Sequence, residues 1–185
     1  MLRRTFAGVL AGTVLAVPMV VVAPSAAAAV EGQATTLTYD DSQAAEFKSA
    51  VAAGVNVWNT SVTNVRIVKA QPGQRVNIQV VADDDWPRAN LGPVRPTGTV
   101  TVWIGREAVD QGYYTVRIAA HELGHSLGLP DAKPGPCSSL MSGSTGGVSC
   151  TNVQPNASEK AAVQHNYAGT AQSADTNAVL PDAAH

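Results

Sequence analysis

The sequence predicts an α+β domain: a small twisted sheet, mostly antiparallel or mixed, one helix that covers it, a second helix that carries a candidate site, and a C-terminal helix. Strand-like and helix-like patterns follow one another in the order strand, helix, strands, helix, helix. The length of 185 residues suits one domain of ordinary size. A composition that is 45% hydrophobic and 14% charged allows a buried core, and a formal net charge of −2 gives no basic excess of the kind that indicates nucleic-acid binding.

Residues 1–29 have the pattern of a secretory signal. A short basic start at Arg3 and Arg4 precedes an apolar stretch and a run of small residues that suits A-x-A type cleavage. The alternative, a transmembrane anchor, is less favoured because Pro18 interrupts the apolar run and Pro24 follows soon after. The arginine pair also resembles a twin-arginine export signal, but the strongly apolar middle favours the general secretory route.

The mature chain is predicted to begin with a strand and a helix. Residues 34–39 alternate β-branched and other side chains, as a half-buried strand does. Asp40 and Asp41 are the predicted N-caps of a helix over 42–58, because a negative charge is favourable at a helix start. The helix would cover the sheet with apolar residues at helical spacing, namely Phe47, Val51, Val55 and Trp58.

Three further strands are predicted in the middle of the chain. Residues 64–70 and 75–83 alternate and are joined by a turn, so they are expected to lie side by side. Residues 83–98 are rich in proline and glycine and are predicted to form a loop, and residues 99–105 give the last strong strand pattern. The pattern leaves two positions open for this last strand: the sheet interior, or an edge where an extended peptide could pair.

Two helices are predicted in the second half. The first spans about 113–127, and Gly128 stands where a left-handed residue would end it. The second extends over 156–167 and begins with the capping-box spacing of Asn156 and Glu159. The predicted division of the chain is a secretory signal over 1–29, one domain over 30–168 and a flexible C-terminal tail over 169–185.

The most informative stretch reads HELGHSLGLPD, from His121 to Asp131. His121 and His125 are one helical turn apart, so their imidazoles lie about 5–6 Å apart on one face and can bind a single zinc ion. Glu122 is rotated about 100° from His121 and would lie beside the metal, which suits a general base acting on water. The alternative is an ordinary helix of unusual composition.

A catalytic zinc site needs a third protein ligand and one open position for water. Gly128 can adopt a positive φ and turn the chain back, and Pro130 stiffens the return, so that Asp131 reaches the metal from the other side. The complete pattern therefore predicts one zinc ion with three ligands and a base: His121, His125 and Asp131 as ligands, and Glu122 as the base.

Cys137 and Cys150 are the only two cysteines. In an exported protein they meet an oxidising compartment, where the simplest pairing is a disulfide that closes a loop of roughly a dozen residues and stabilises by about 2–3 kcal/mol. Two thiolate zinc ligands are the alternative, which is weaker because the spacing is long and no histidine pair lies between the cysteines.

The stretch HELGHSLGLPD resembles the snapalysin family, small secreted bacterial zinc endopeptidases related to the metzincins, in which an aspartate stands where metzincins have a third histidine. The resemblance extends from TLTYD near residue 36 to NYAG near residue 169 and includes GLPD, GPC, LMSG, SCTN and PNA. It implies a metzincin-like fold, the same zinc ligands and base, and a disulfide between Cys137 and Cys150. It also implies that Met141 is the Met-turn residue beneath the metal; a plain core methionine is the alternative.

Several positions depart from the family pattern. Some relatives have a tyrosine two residues after the aspartate ligand, where this chain has Lys133. Relatives bind calcium through an aspartate near the start of the active-site helix, where this chain has Tyr114, which argues against a calcium ion there. The run Asp83, Asp84 and Asp85 could bind calcium instead, but a solvated acidic loop is the preferred interpretation because oxygen ligands must converge in space.

The predicted function is a secreted zinc metalloendopeptidase that hydrolyses peptide bonds in extracellular proteins. A preference for an aromatic residue after the scissile bond is carried over from the family. The expected partners are protein or peptide substrates, with no nucleic acid and no membrane after signal cleavage, and a monomer is the default. The alternatives are a secreted zinc-stabilised binding protein without turnover and a lipid-attached or wall-bound module. His165 and His185 are not expected to be ligands.

Overall fold

The computed structural model describes residues 33–169 and 178–182. The predicted secretory signal over 1–29 lies outside the described residues. Within the described part of the chain, no helix combines the length and the apolar character that crossing a bilayer requires.

Six strands and four α-helices form the described domain. In chain order they are β1 (Thr35–Gln43), α1 (Lys48–Ser61), β2 (Val65–Lys69), β3 (Ile78–Asp83), β4 (Arg88–Asn90), β5 (Val100–Gly105), α2 (Arg106–Asp110), α3 (Thr115–Ser126), α4 (Ala157–Asn166) and β6 (Val179–Pro181). Short 3-10 segments precede α1 at Ala45–Phe47 and follow α3 at Leu140–Gly146. The α+β class predicted from the sequence is confirmed.

The six strands form one mixed sheet in the order β2-β1-β3-β5-β4-β6. The first four of these are parallel neighbours, with Ile78 of β3 opposite Val100 of β5, whereas β4 is antiparallel to both β5 and β6. The sheet is therefore mixed, as predicted, with a parallel half and an antiparallel half. Because β5 lies between β3 and β4, the strand whose position the sequence left open is an interior strand.

The core lies between the sheet and two helices that cross each other. Helix α1 packs against α3, and the fully buried Trp58 of α1 donates its indole N–H to Ala120 O of α3 at 2.8 Å. Gly54 permits this approach, because a Cβ there would lie 3.0 Å from the backbone nitrogen of Ala120. Helix α1 thus covers the sheet, and it also fixes the back of α3, the helix that carries the candidate site.

The boundary between β1 and α1 differs from the prediction. Asp40 and Asp41 lie within β1, which continues to Gln43, and α1 begins only at Lys48. Asp40 accepts hydrogen bonds from the backbone N–H and the hydroxyl of Ser42, and the carboxylate of Asp41 pairs with Lys69 of β2 at 2.7 Å. The prediction that these aspartates cap a helix was wrong because both carboxylates have partners within the strand region.

Two short elements occupy stretches where the sequence predicted none. Strand β4 lies in the predicted loop 83–98, and α2 follows β5 directly. With three residues, β4 is too short to show alternation; backbone pairing defines it, with Ala89 opposite Val102 of β5 and Leu180 of β6.

The C-terminal residues also differ from the expectation of a flexible tail over 169–185. Residues 178–182 are attached to the sheet: β6 pairs with β4, and Asp182 is only 4% exposed. No periodicity in such a short segment marks it, because its attachment comes from backbone pairing with a distant strand.

Candidate active site

Helix α3 is buried along most of its length, and it carries three polar side chains into the interior. His121, Glu122 and His125 are 1%, 0% and 0% exposed. The two imidazole rings come from successive turns of the helix, and their centroids lie 4.6 Å apart at an interplanar angle of 85°. Burying three ionisable side chains costs free energy unless charge or hydrogen bonds compensate, so a cluster of this kind indicates a site.

The turn after α3 brings the third predicted ligand to these rings. Gly128 has φ +93° and its N–H donates to His125 O at 2.8 Å, which ends the helix as the sequence predicted. Glycine is required at position 128 for two reasons: its φ is positive, and a Cβ there would lie 2.7 Å from Asn166 Nδ2. Beyond this turn, Asp131 Oδ1 lies 3.3 Å from His121 Nε2 and 3.6 Å from His125 Nε2.

Both histidine rings are oriented by backbone carbonyls. Nδ1 of His121 lies 2.9 Å from Leu140 O, and Nδ1 of His125 lies 2.7 Å from Leu129 O. With Nδ1–H as the donor in each ring, Nε2 of each ring is left as a lone-pair nitrogen that faces Asp131. Orientation of this kind by hydrogen bonds to the far ring nitrogen is usual for metal-binding histidines.

The distances fit a tetrahedral zinc ion. Ligands about 2.0–2.1 Å from a zinc ion in tetrahedral geometry are separated by about 3.3–3.4 Å. The measured 3.3 and 3.6 Å from Asp131 Oδ1 to the two imidazole nitrogens match this spacing. The three atoms, Nε2 of His121 and His125 and Oδ1 of Asp131, are buried and have no hydrogen-bond partner among the described residues. A single cation would satisfy all three.

The charges of the protein groups favour a cation at the same point. Burial lowers the pKa of His121, but the carboxylates of Asp182 and Asp131 outweigh this effect and the pKa is raised to about 9. Burial lowers the pKa of His125 to about 4, and the neighbouring His121 adds to the shift. Burial also raises the pKa of Glu122 well above its usual range. A divalent cation would stabilise the carboxylates without requiring a protonated histidine.

Comparisons with known proteins identify the family of the chain. The sequence pattern of the Streptomyces extracellular neutral proteinase (M7) family matches residues 34–170. The chain belongs to this family. It is 39% identical over 142 residues to the extracellular small neutral protease of Streptomyces coelicolor, covering 76% of this chain and 64% of that protein. It is 38% identical over 133 residues to the protein of the same name from Streptomyces caespitosus, covering 72% of this chain and 97% of that one.

The snapalysin resemblance is thereby confirmed, although the chain spans less than two thirds of the first relative's length. A solved structure with partial similarity is high choriolytic enzyme 1, a hatching enzyme zinc-protease from the medaka fish Oryzias latipes. It shares 20% identity and a TM-score of 0.40, over 55% of this chain and 47% of that one. A similarity at this level carries no weight for the fold or the site.

In this M7 family chain, the loop that follows α3 packs beneath the two histidines. Met141 is 1% exposed, and its Sδ would lie 2.7 Å from a Cβ placed on Gly124 of the HELGH stretch. Packing therefore explains why position 124 is a glycine, because any side chain there would push Met141 away. Met141 lies directly against the turn of α3 between the two rings, a position that fits both a Met-turn residue and a plain core methionine.

A buried carboxylate holds the Met141 loop in place. Glu159 forms the capping box of α4 with Asn156, as the sequence predicted, and it is 7% exposed. The same carboxylate accepts hydrogen bonds from Ser139 Oγ at 2.7 Å, Met141 N at 2.9 Å and Leu140 N at 3.2 Å. Because Leu140 O orients His121, Glu159 acts on the ligand geometry from 38 residues away in the sequence.

The same loop is fixed at two further points. Cys137 and Cys150 form a disulfide, with a Cα–Cα distance of 5.5 Å, so neither thiol is available as a metal ligand. Arg117 of α3 is 5% exposed and donates to Asn152 O at 2.6 Å and Ser139 O at 2.8 Å. The disulfide and the arginine hold both ends of the segment that carries Met141.

The positions that depart from the family pattern have identifiable contacts. Lys133 Nζ lies 3.5 Å from Asp131 Oδ2 and forms a closer ion pair with Asp182. Tyr114 precedes α3 and is 42% exposed. In the acidic run, Asp83 pairs with Arg88 at 2.6 Å and Asp84 pairs with Arg106 at 2.5 Å. These ion pairs are consistent with an acidic loop whose charges are balanced by arginine.

Asp182 also lies at the site, although the sequence did not predict it there. Its Oδ1 lies 3.9 Å from His121 Nε2 and accepts a hydrogen bond from Ser144 N at 3.2 Å. Ligand atoms of His121, Glu122 and Asp182 all lie within 4.8 Å of one another. The sequence offers no signal for this placement, because Asp182 lies 51 positions after Asp131 in a segment without periodicity. His165, in contrast, is exposed on α4 and away from the cluster.

Proposed function

We propose that the chain is a secreted zinc endopeptidase that hydrolyses peptide bonds in extracellular proteins. The observation that carries the proposal is the convergence of three buried, unpartnered ligand atoms from His121, His125 and Asp131 at tetrahedral zinc spacing, with Glu122 beside them. A structural zinc site has four protein ligands as a rule, whereas three ligands with an adjacent carboxylate are typical of hydrolytic sites.

Glu122 is the proposed general base. Both of its oxygens are buried and without hydrogen-bond partners among the described residues, so they are free to accept the proton of an attacking water. A zinc ion bound at this site would polarise the scissile carbonyl and lower the pKa of water. Glu122 takes the proton and delivers it to the departing amine.

The proposed substrate is an extended peptide that pairs with the outer edge of β4. The backbone groups Pro87 O and Leu91 N point away from β5, since their hydrogen-bond partners are Asp182 N and Ala178 O of the C-terminal segment. These groups at the two ends of β4 would bind the backbone of a substrate in the same antiparallel way. The pairing would deliver the peptide to the side of His121 and Glu122.

A pocket beside His121 supports the aromatic preference carried over from the family. Its walls include Tyr113, Tyr114, Arg117 and Ile118, together with the candidate zinc ligand His121. Aromatic rings pack favourably edge-to-face against tyrosine, so Tyr113 and Tyr114 are the proposed contacts of an aromatic side chain after the scissile bond. Extracellular action is supported by the predicted signal over 1–29 and by the names of the relatives.

The test is casein cleavage by the purified chain with and without a zinc chelator, beside a measurement of bound metal. Glu122→Gln is expected to keep zinc and to lose activity by about 10²–10⁴-fold, because the base is removed while the ligands remain. Glu107→Gln is the matched control, since Glu107 is an exposed glutamate on α2. It is expected to cleave normally.

Two results would overturn the proposal. Equal cleavage by wild type and Glu122→Gln would show that Glu122 is not the general base. A zinc-loaded, folded wild-type chain without any cleavage of casein or of a peptide library would favour the secreted zinc-stabilised binding protein. In the same library, a higher kcat/KM for peptides with phenylalanine or tyrosine after the cut would support the assignment of the pocket.

A further inference from the structure

Residues 178–182 lie outside the part of the chain that the M7 family pattern matches, which ends at residue 170. They nevertheless form β6, which pairs antiparallel with β4 and continues the sheet on the side of the candidate active site. Two hydrogen bonds close the ends of this pairing: Leu91 N donates to Ala178 O at 2.7 Å, and Asp182 N donates to Pro87 O at 2.9 Å. The segment occupies the edge that an extended substrate would need.

Asp182 extends from this strand into the catalytic cluster. Its carboxylate is buried, lies 3.9 Å from His121 Nε2, accepts a hydrogen bond from Ser144 N, and pairs with Lys133. Burying a carboxylate is costly unless charged or hydrogen-bonded partners compensate, and here every near partner belongs to the site. The carboxylate thus lies on the face of His121 and Glu122 where water and a scissile carbonyl would have to enter.

The chain leaves a specific space for this carboxylate at Gly143. A Cβ on Gly143 would lie 2.1 Å from Asp182 Oδ1, and the residue has φ +52°, so no other residue fits here without displacing Asp182. Gly143 belongs to the 3-10 segment that also contains Met141. The loop beneath the histidines therefore has one surface shaped to α3 and another shaped to the C-terminal segment.

We propose that residues 178–182 are an intramolecular inhibitor, which occupies the β4 edge in place of substrate and places the Asp182 carboxylate beside His121 and Glu122, where the attacking water would be held. The inference rests on the proposed peptidase function. A carboxylate beside the general base Glu122 would occupy the space that a catalytic site keeps open for water. Asp182 would also neutralise Lys133, a cation beside Asp131 that could assist a developing oxyanion.

The inhibitor acts from within the same chain, so a short strand is sufficient. Residues 170–177 connect it to the domain, and such a tether gives a weakly binding segment a high effective concentration at its site. Displacement by a high concentration of substrate, or a cut within 170–177, would expose the edge of β4. A peptidase that is restrained until it meets substrate or a second protease follows from this arrangement.

The first test is Asp182→Ala in the full chain, with zinc affinity and activity measured separately. Zinc affinity in a chelator competition assay is expected to stay at the wild-type value, because His121, His125 and Asp131 all remain. Loss of the inhibitor is expected to raise kcat/KM for casein peptides by about 10-fold or more. Higher activity at unchanged zinc affinity is a result that a purely structural role for Asp182 would not produce. Asp110→Ala, on the exposed end of α2, is the matched control.

The second test uses a full chain with a site for a sequence-specific protease introduced within residues 170–177. The protein folds intact and is then cut. Cleavage is expected to release the C-terminal peptide, detected by mass after gel filtration, and to raise kcat/KM as Asp182→Ala does. A synthetic peptide AVLPD, corresponding to residues 178–182, is expected to inhibit the cut enzyme competitively. Faster backbone hydrogen exchange at β4 after release would locate the exposed edge.

Equal activity before and after the cut would overturn the inhibitor, as would a fall in both activity and zinc affinity in Asp182→Ala. In either case the enzyme still cleaves casein, so the proposed function stands. Absence of cleavage in every form, with zinc bound, overturns the peptidase function and the inhibitor together.

Discussion

The two sides of the candidate active site are built in different ways. On the ligand side, His121, His125 and Asp131 come from one stretch of eleven residues, and a helix and one glycine turn bring them together. On the opposite side, Gly143, Lys133 and Asp182 come from three separate segments that meet through a loop, a turn and a strand pairing. The comparison shows that local spacing fixes which atoms can bind a metal, whereas long-range packing fixes what can approach it.

The largest expected effect comes from breaking the ligand side. His125→Ala removes a ligand that no other described side chain can replace, so zinc affinity should fall by more than the roughly 10–100-fold that loss of an outer hydrogen-bond partner costs. Casein cleavage should fall with it at limiting zinc. Equilibrium dialysis against a zinc buffer measures the affinity.

His165→Ala is the control for this prediction, because His165 is an exposed histidine on α4. It should bind zinc as the wild type does. If His125→Ala kept wild-type zinc affinity, the metal would have to lie elsewhere. The assignment of the ligand side would then be wrong.

The same contrast explains which features the sequence revealed. The HELGHSLGLPD stretch predicted three converging side chains because one helical turn and one left-handed glycine determine their positions almost without other contacts. The capping box of α4 was predicted for the same reason. The α+β class followed from the order of strong periodic segments, most of which the structure contains.

The features that the sequence did not reveal depend on distant partners. Strand β4 has three residues and no alternation, and it exists because β5 and β6 pair with it. The second role of Glu159, holding Leu140 and Met141, cannot be read from the capping-box spacing that its first role satisfies. Asp40 and Asp41 show the opposite failure: a good local cap pattern was overridden by strand pairing and by Lys69.

An intermediate effect is expected where long-range packing supports the ligand side. Glu159→Gln places amide N–H groups against the donors of Ser139, Leu140 and Met141, so buried donors lose an acceptor. The expected loss of stability is about 1–3 kcal/mol, seen as a lower midpoint in urea. Zinc affinity should fall by about 10-fold, because Leu140 O would no longer hold the His121 ring in place.

Glu107→Gln serves as the control for this change as well, since the exposed Glu107 has no such set of donors. Stability lost without any change in zinc affinity would mean that the Met141 loop supports the fold and not the ligand geometry. The two sides of the site would then be independent, contrary to the comparison.

The smallest expected effect concerns Lys133, the residue that lies between the two sides. It is close to the ligand Asp131 and pairs with Asp182, so in the intact chain its charge is already compensated. Once the C-terminal segment is displaced, the ammonium group is free to stabilise a developing oxyanion. Lys133→Ala should therefore lower kcat in the Asp182→Ala background by less than the roughly 100-fold that a fixed oxyanion donor contributes, because lysine is a flexible point charge.

In the wild-type background the same substitution should have the opposite effect on activity. Lys133→Ala removes a partner of Asp182, weakens the hold of the C-terminal segment and should raise kcat/KM slightly. Measuring kcat for Lys133→Ala in both backgrounds separates the two roles, and an unchanged kcat in the Asp182→Ala background would exclude Lys133 from catalysis. If Lys133→Ala raises activity in the wild-type background and lowers it in the Asp182→Ala background, the ligand side and the C-terminal side act on the same reacting atoms.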